Sequence, residues 1–215
     1  MTRIKICGIT RPEDAALSVE LGASALGFNF YEPSPRYIEP ARASEIIHQV
    51  PPLVVAVGVY ADETYGGRVA AIAREAHVSA LQLHGPRFPK DLEALKGYRL
   101  IYAIPVTPDF DPATLSVLPP DAFLLDAFDP VRIGGSGMII DWNIARRASE
   151  AGKAIILAGG LTPENVGEAI RQVKPFGVDV ASGVEHARGI KDAHLLRAFF
   201  AAVAEADRSL EGIGY

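Results

Sequence analysis

The chain has 215 residues, of which 49% are hydrophobic and 22% are charged, with a formal net charge of −5 and one cysteine. This length and composition predict one large globular domain spanning residues 1–215. The negative charge argues against nucleic acid or an anionic membrane as a partner. A lone cysteine cannot form an internal disulfide. The lack of a signal-peptide core or a membrane-length apolar run predicts a cytoplasmic protein.

Eight short apolar runs alternate with longer helical stretches along the chain. The short runs are rich in Val, Ile, Leu or Phe, as parallel strands covered on both faces are. In chain order the predicted strands are Ile4–Cys7, Ala25–Phe30, Val54–Tyr60, Ala80–Leu83, Leu100–Val106, Ala122–Asp126, Ala154–Ala158 and Val178–Ala181. The predicted helices are Pro12–Leu21, Pro40–Val50, Glu63–Ala76, Phe88–Leu95, Pro108–Leu118, Asp141–Ala151, Pro163–Val173 and Ala193–Ala206.

Proline and glycine mark several helix ends. Thr10 is a possible cap before Pro12, and Gly22 follows the first helix. The run Thr162-Pro163-Glu164 predicts another helix start. The stretch Pro108–Leu118 carries two prolines and is expected to form only a turn or two.

Eight β-then-α units in a chain of this length predict an α/β fold, a single (β/α)8 TIM barrel. The alternative is an open doubly wound sheet, which usually carries a glycine-rich dinucleotide motif after its first strand. Here the first strand is followed by Cys7-Gly8-Ile9-Thr10, which is not that motif. In a closed barrel the site lies where the strands end and the βα loops begin, so the residues at those positions are the candidates for function.

The first predicted strand ends at Cys7. Strand alternation places Lys5 and Cys7 on one face, with Ile4 and Ile6 on the other. Cys7 is therefore either a small buried apolar residue or a thiolate base that a neighbouring cation helps to ionise.

Two further strand ends carry polar candidates for substrate binding. The loop after the second strand holds Arg36 between prolines and aromatic residues. A guanidinium on a stiff loop suits a carboxylate, although a solvated surface arginine is the plainer interpretation. His84 closes the fourth strand, where it either lines the site or carries a structural hydrogen bond.

The sixth predicted strand ends at Asp126. A carboxyl group at the end of an apolar strand is a good general-acid candidate because a low-dielectric setting favours its neutral form. The alternative is an aspartate that caps the following loop. That loop contains a glycine-rich run, residues 134–137, flexible enough to cover a ligand.

Small residues follow the seventh and eighth strands. They are Gly159, Gly160, Ser182 and Gly183. Glycines let backbone N–H groups approach an anion closely, and these two loops commonly hold phosphate in (β/α)8 barrels. The four residues are therefore predicted to bind a phosphate group, with a purely structural role as the alternative.

Taken together, these strand ends resemble the phosphoribosylanthranilate isomerase family. The matching motifs run in order along the chain: KICGIT at 5–10, GFNFYEPSPRY at 27–37, VGVY at 57–60, QLHG at 82–85, LLDA at 124–127, GGSG with DW at 134–142, LAGGLTPENV at 157–166, and GVDVASGVE with GIKD at 177–192. The chain departs from the family pattern at Met138, where many members have Lys, at LLDA, and in the loop Phe128–Ile133.

The resemblance implies a role for several of these residues. Cys7 would be the general base, Asp126 the general acid, and Arg36 the ligand of the anthranilate carboxylate. His84, Asp179 and Gly135 join the four phosphate-loop residues as substrate-binding candidates. The implied reaction is an Amadori rearrangement of a phosphorylated sugar in tryptophan biosynthesis.

The resemblance implies no metal and no organic cofactor, because the substrate's own nitrogen serves as the electron sink. The expected partner is a phosphorylated small molecule, with the protein a monomer or a homodimer. The alternatives are another phosphosugar barrel enzyme, or a non-catalytic barrel that binds a phosphorylated metabolite. A non-catalytic barrel would need neither Cys7 nor Asp126.

Overall fold

The fold is a closed barrel of eight parallel strands in the order β1-β2-β3-β4-β5-β6-β7-β8. The computed structural model describes residues 1–63, 65–85, 89–107, 109–117, 120–127, 141–150 and 152–211. The strands are β1 Arg3–Cys7, β2 Ala25–Asn29, β3 Val55–Ala61, β4 Ala80–His84, β5 Arg99–Val106, β6 Ala122–Ala127, β7 Ala154–Leu157 and β8 Gly177–Val180. Closure between β1 and β8 confirms the (β/α)8 prediction and excludes the open doubly wound sheet.

Helices pack around the outside of this barrel. Within the described residues they are α1 Pro12–Glu20, α2 Pro40–Ile47, α3 Gly66–Ala76, α4 Trp142–Ser149, α5 Val166–Val173 and α6 Ala193–Glu211. No helix in these ranges has the length and hydropathy needed to cross a membrane.

The core has two layers, as strand alternation in a barrel requires. Side chains such as Ile4, Ile6 and Phe123 point outward and form the large cluster between the strands and the helices. A smaller cluster fills the barrel interior, and its buried members are Ala103, Ala122, Leu124, Ile156 and Ala158. The alternation that buries Ile4 and Ile6 on the outside turns Lys5 and Cys7 inward.

Two of the predicted helices are short 3-10 helices in the described residues. The stretch Phe88–Leu95 has only Leu92–Leu95, and Pro108–Leu118 has Pro112–Val117. Helix starts also differ from the prediction. Helix α1 is preceded by Arg11 without a side-chain cap, because the Thr10 hydroxyl donates instead to the Gly189 carbonyl at 2.5 Å.

The start predicted at Thr162 lies three residues further on, where Asn165 precedes the first residue of α5. The Asn165 side chain accepts a hydrogen bond from the Thr162 backbone N–H at 2.8 Å and donates one to the Gly160 carbonyl at 2.8 Å. The intervening turn is therefore held by Asn165 together with the Thr162 hydroxyl, which accepts from the Glu164 backbone N–H at 3.3 Å.

A short hairpin after β8 has no counterpart in the sequence prediction. It follows a 3-10 turn at Ser182–Val184 and consists of β9 Glu185–Ala187 and β10 Ile190–Lys191, paired antiparallel. Its bend approaches the loop after β2, since a side chain built on Gly189 would lie 3.4 Å from the Pro35 carbonyl oxygen. The hairpin therefore sits beside the carboxyl ends of β1, β2 and β8.

Candidate active site

A cavity of about 430 Å³ opens at the carboxyl ends of the strands. Its walls include five residues that the sequence singled out: Cys7, Arg36, His84, Asp126 and Asp179. They come from β1, the loop after β2, β4, β6 and β8, so the closed barrel brings together side chains from five separate segments.

Cys7 lies beside a buried ion pair. The Lys5 ammonium contacts Asp179 Oδ1 at 2.8 Å, and both side chains are buried. A side chain on Gly27 would lie 2.9 Å from Cys7 Sγ and 3.0 Å from Lys5 Nζ, so the thiol and the ammonium share one small space that glycine leaves open. Lys5, named from the sequence as a candidate cation, therefore does face the thiol.

The pKa values of this cluster reflect burial and charge. Burial raises the pKa of the Cys7 thiol, and Lys5 is the largest opposing influence. Burial disfavours the Lys5 ammonium, but Asp179 and Cys7 outweigh it and raise the pKa of Lys5 above its ordinary value. Lys5 therefore stays positively charged beside Cys7.

Asp126 faces the same cavity from the end of β6. Burial, followed by the negative charge of Asp179, raises the pKa of Asp126 to about 6. Its Oδ1 accepts a hydrogen bond from the Ala127 backbone N–H at 2.9 Å, which fixes the orientation of the carboxyl group. A carboxyl with this pKa holds a proton far more readily than an ordinary aspartate near neutral pH.

His84 is a neutral ring in this setting. Burial, followed by the charge of Lys5, lowers the pKa of His84 to about 4. The Gln82 side-chain amide forms a hydrogen bond with His84 Nε2 at 2.6 Å. The Gln82 Oε1 atom is buried without a hydrogen-bond partner in the described residues, and Gln82 lines the cavity.

Arg36 is already engaged by a carboxylate of the protein itself. Its Nε and Nη2 donate to the two oxygens of Glu185 at 2.8 Å each. This pairing uses one edge of the guanidinium, and the Nη1–Nη2 end keeps two N–H groups that can hold a second carboxylate. Arg36 is therefore neither a solvated surface arginine nor a free one.

The four predicted phosphate residues follow β7 and β8 at the same end of the barrel. They are not among the cavity-lining residues in the described part of the chain. Gly159 and Gly160 have φ values of 78° and 63°, which favour glycine. A side chain on Gly183 would lie 1.9 Å from the Leu161 carbonyl oxygen, so the loops after β7 and β8 touch at this glycine.

Some sequence candidates fall outside the described residues, and some site residues have no sequence prediction. Gly135, Met138 and the loop Phe128–Ile133 lie outside the described ranges. Glu185 and Lys191 contact site residues, and Arg188 lines the cavity. The sequence signal that could have identified Glu185 and Lys191 is their presence in the GVE and GIKD motifs.

The described ranges contain no group of three or more His, Cys, Asp or Glu side chains arranged to hold a metal ion.

A model of the family described as N-(5'-phosphoribosyl)anthranilate (PRA) isomerase matches residues 4–202. The chain belongs to this family. Membership confirms the resemblance that the strand-end motifs predicted, and it identifies the chain as an isomerase rather than a non-catalytic barrel.

Relatives and solved structures of the isomerase family match nearly the whole chain. An N-(5'-phosphoribosyl)anthranilate isomerase from Trichlorobacter lovleyi is 46% identical over 212 residues, covering 96% of this chain and all of the relative. The Thermus thermophilus phosphoribosyl anthranilate isomerase has a TM-score of 0.87 at 41% identity, over 95% of this chain and 99% of the other.

A third isomerase was solved in complex with reduced 1-(o-carboxyphenylamino)-1-deoxyribulose 5-phosphate. It has a TM-score of 0.82 at 37% identity, over 95% of this chain and 100% of the other. That ligand carries a carboxylate at one end and a phosphate at the other.

Proposed function

We propose that this chain converts N-(5-phosphoribosyl)anthranilate to 1-(2-carboxyphenylamino)-1-deoxyribulose 5-phosphate in tryptophan biosynthesis, with Cys7 as general base and Asp126 as general acid. Family membership supports the overall reaction. One observation supports the residue roles. The Cys7 thiol, which lies beside the Lys5 cation, and the Asp126 carboxyl, whose pKa is raised, face the same cavity.

Ring opening is the first step that needs a proton. Asp126 donates to the ribose ring oxygen, the bond from that oxygen to C1 breaks, and the nitrogen lone pair forms a C=N bond. The resulting Schiff-base cation makes the C2 hydrogen acidic. A protonated carboxyl suits this step, because an ionised aspartate has no proton to give.

Proton removal completes the chemistry. The Cys7 thiolate takes the C2 proton, and the electron pair moves through C1 to the nitrogen, giving an enolamine. This tautomerises to the keto product, with a proton added at C1. The nitrogen of the substrate accepts the electrons throughout, so the steps require no metal or organic cofactor.

The direct test follows the fluorescence of the anthranilate substrate after enzyme is added without metal. We expect the fluorescence to fall with time and in proportion to enzyme concentration. Protein denatured beforehand is the control. A signal that stays constant with well-folded protein, or that falls only after a metal is added, would contradict the proposed reaction.

Arg36→Ala is expected to raise KM for the substrate much more than it lowers kcat. The Nη1–Nη2 end of Arg36 would hold the substrate carboxylate equally in the ground and transition states, which is uniform binding. A charge-assisted contact contributes about 1.5–3 kcal/mol, so KM should rise roughly tenfold or more. Steady-state kinetics measure both constants.

Arg188→Ala is the matched comparison for Arg36→Ala. Arg188 is exposed, and it lines the same cavity. We expect Arg188→Ala to raise KM by less than Arg36→Ala does. If the large rise in KM appears in Arg188→Ala and not in Arg36→Ala, the carboxylate ligand is Arg188.

Inorganic phosphate is expected to inhibit competitively, because backbone N–H groups of Gly159, Gly160, Ser182 and Gly183 would hold the substrate phosphate. Gly183→Val is a poor test, since any side chain there collides with the Leu161 backbone and would displace both loops. Ser182 is exposed, so Ser182→Asp adds a repelling charge without a packing clash.

Ser182→Asp should therefore weaken phosphate inhibition and raise KM. Gln49→Asp is the control: it adds the same charge at an exposed position after α2, where the chain approaches the opposite end of the barrel. Inhibition that is non-competitive, or equally affected by both variants, would rule out this phosphate site.

The single-domain extent 1–215 and the monomeric or homodimeric state stay predictions.

A further inference from the structure

Lys191 is a lysine whose side chain has no solvent-exposed surface, although it lies on the second strand of the hairpin after β8. Its ammonium donates three hydrogen bonds: to the Cys7 carbonyl at 2.6 Å, to the Ala181 carbonyl at 3.0 Å and to Glu185 Oε1 at 3.0 Å. Three acceptors require three N–H donors, which only the charged ammonium form provides. Lys191 is therefore a buried positive charge with every donor used.

Two of these acceptors are the ends of neighbouring strands. The pairing of β1 with β8 ends at Ile6 and Val180, and Cys7 and Ala181 are the next residues along the chain. The Lys191 ammonium binds the carbonyls of both residues, so it joins the strands just beyond their last pair. The residue held in this way on β1 is the proposed base itself.

The third acceptor links Lys191 to Arg36. Glu185 Oε1 accepts from Lys191 and also from Arg36 Nε, while Glu185 Oε2 accepts from Arg36 Nη2. Two cations sharing one carboxylate leave this cluster with a net positive charge. Without Lys191, the Arg36–Glu185 pair would be neutral and would attract a substrate carboxylate less strongly.

The hairpin is also anchored from outside the site. The Lys191 backbone N–H donates to Asp14 Oδ2 at 3.1 Å, and Asp14 is held by Arg11 through two hydrogen bonds of 3.0 and 2.6 Å. Helix α1 thus fixes the backbone of Lys191 while its side chain fixes the strand ends.

We propose that Lys191 is a positioning residue that holds the end of β1 carrying Cys7 and supplies the positive charge that lets Arg36 bind a second carboxylate. This inference rests on the proposed function, since it deepens the roles of Cys7 and Arg36. It predicts that one substitution will alter thiol reactivity and carboxylate binding together, although Lys191 is not among the described residues that line the cavity.

Lys191→Met keeps most of the side-chain volume and removes the charge. The charged groups around Cys7 are Lys5, Asp179, Arg36 and Lys191, and removing the last leaves less positive charge beside the thiol. Alkylation of Cys7 by iodoacetamide should therefore shift to higher pH. Competitive inhibition by the reduced carboxyphenylamino-deoxyribulose phosphate should weaken roughly tenfold or more, the size of a charge-assisted contact.

Inhibition by inorganic phosphate, which lacks a carboxylate, should weaken by a smaller factor in Lys191→Met, because near the phosphate residues the lost ammonium holds only the Ala181 carbonyl, next to Ser182. Lys96→Met is the matched control, because Lys96 is 78% exposed and pairs with Glu93 away from the site. Circular dichroism and thermal melting establish that each variant is folded at the assay temperature. A lysine that only stabilises the fold would lower the melting temperature while leaving the alkylation profile and the ratio of the two inhibition constants unchanged, and that result would overturn the proposal.

Glu185→Gln keeps the proposal testable if Lys191→Met does not fold. It leaves the two ammonium-to-carbonyl bonds in place and removes the negative charge that Arg36 and Lys191 share. Alkylation of Cys7 should then shift to lower pH, and an unchanged or upward shift would contradict the proposal. Thiol alkylation does not require turnover, so a failure of Cys7 as the base would leave that readout valid.

Discussion

Asp126→Asn is expected to lower kcat by about 10²–10⁴, the usual contribution of a positioned general acid. The amide keeps the shape of the side chain and can still accept from the Ala127 N–H, but it cannot protonate the ring oxygen. Affinity for the reduced product analogue should change little. Steady-state and single-turnover kinetics measure the loss.

Asp121→Asn is the control for this substitution. Asp121 precedes the opposite end of β6, where it accepts from the Leu100 N–H at 2.9 Å and from the exposed Arg99 Nη1 at 2.7 Å, and an amide oxygen can replace one of these acceptors. We expect wild-type turnover in this variant. If Asp126→Asn also turns over at the wild-type rate, the acid role passes to another group, with Asp179 and His84 the remaining described candidates.

The pH dependence of activity follows from the two raised pKa values. Asp126 titrates at about 6, and the pKa of Cys7 lies above the ordinary thiol range. The reactive form has a protonated Asp126 and an ionised Cys7. Because Asp126 is the stronger acid, most molecules that carry one of these two protons carry it on Cys7, and the reactive form is a minority. Activity should therefore rise as the pH passes 6 and fall above the pKa of Cys7.

Asp126→Asn should remove the inflection near pH 6 from the pH profile of activity, since the residual activity of this variant depends only on ionising Cys7. That activity should rise steadily with pH up to the thiol pKa. A variant that keeps the wild-type inflection near pH 6 would show that another group titrates there. The pH profile of kcat/KM in the two proteins makes the comparison.

Asp126→Asn should also stabilise the folded protein at neutral pH. The folded-state pKa of about 6 lies above the ordinary value of 3.8, so the stability contribution of this group is present below pH 3.8 and is lost as the pH rises through 6. One pKa unit corresponds to about 1.4 kcal/mol, which sets an upper bound of about 3 kcal/mol on the gain. Thermal melting at pH 4 and pH 8 should show the gain at pH 8 only.

The barrel could be predicted from the sequence because its strands are short, apolar and separated by helical stretches. Predicted and observed strand limits differ by at most one residue, as for Ile4–Cys7 and Arg3–Cys7. The type of helix near Leu92 and Pro112 was harder to predict, since a short apolar run fits a 3-10 helix as well as an α-helix. Helix starts depended on side-chain bonds that sequence spacing did not reveal.

Strand ends revealed the site because alternation and barrel closure decide which residues face inward. The partners of those residues were not predictable in the same way. Arg36 and Glu185 are 149 positions apart, and Lys191 and Cys7 are 184 apart, so only the folded chain brings them together. No local pattern distinguishes a buried lysine such as Lys191 from an exposed one.

Alkylation of Cys7 by iodoacetamide is expected to abolish activity, because the bulky adduct removes the only proposed base. The reaction should accelerate as the pH rises, since burial raises the thiol pKa and only the thiolate reacts. The product analogue should protect the enzyme by filling the cavity. Cys7 is the single cysteine in the chain, so mass spectrometry of the intact protein counts its modification directly.

Cys7→Ala should lose most of the activity, by at least the 10²–10⁴ or so attributed to a general base, while the fold survives. Removing one small side chain at a strand end that faces a cavity leaves little new void. Cys7→Ser should also be poor, because a hydroxyl is a far weaker acid than a thiol and supplies little anion. Lys5 would still provide its charge in both variants, which separates loss of the base from loss of the electrostatic setting. Protein that is fully alkylated at Cys7 and still turns over the substrate would defeat the thiolate mechanism and return Cys7 to the role of a small residue in the barrel wall.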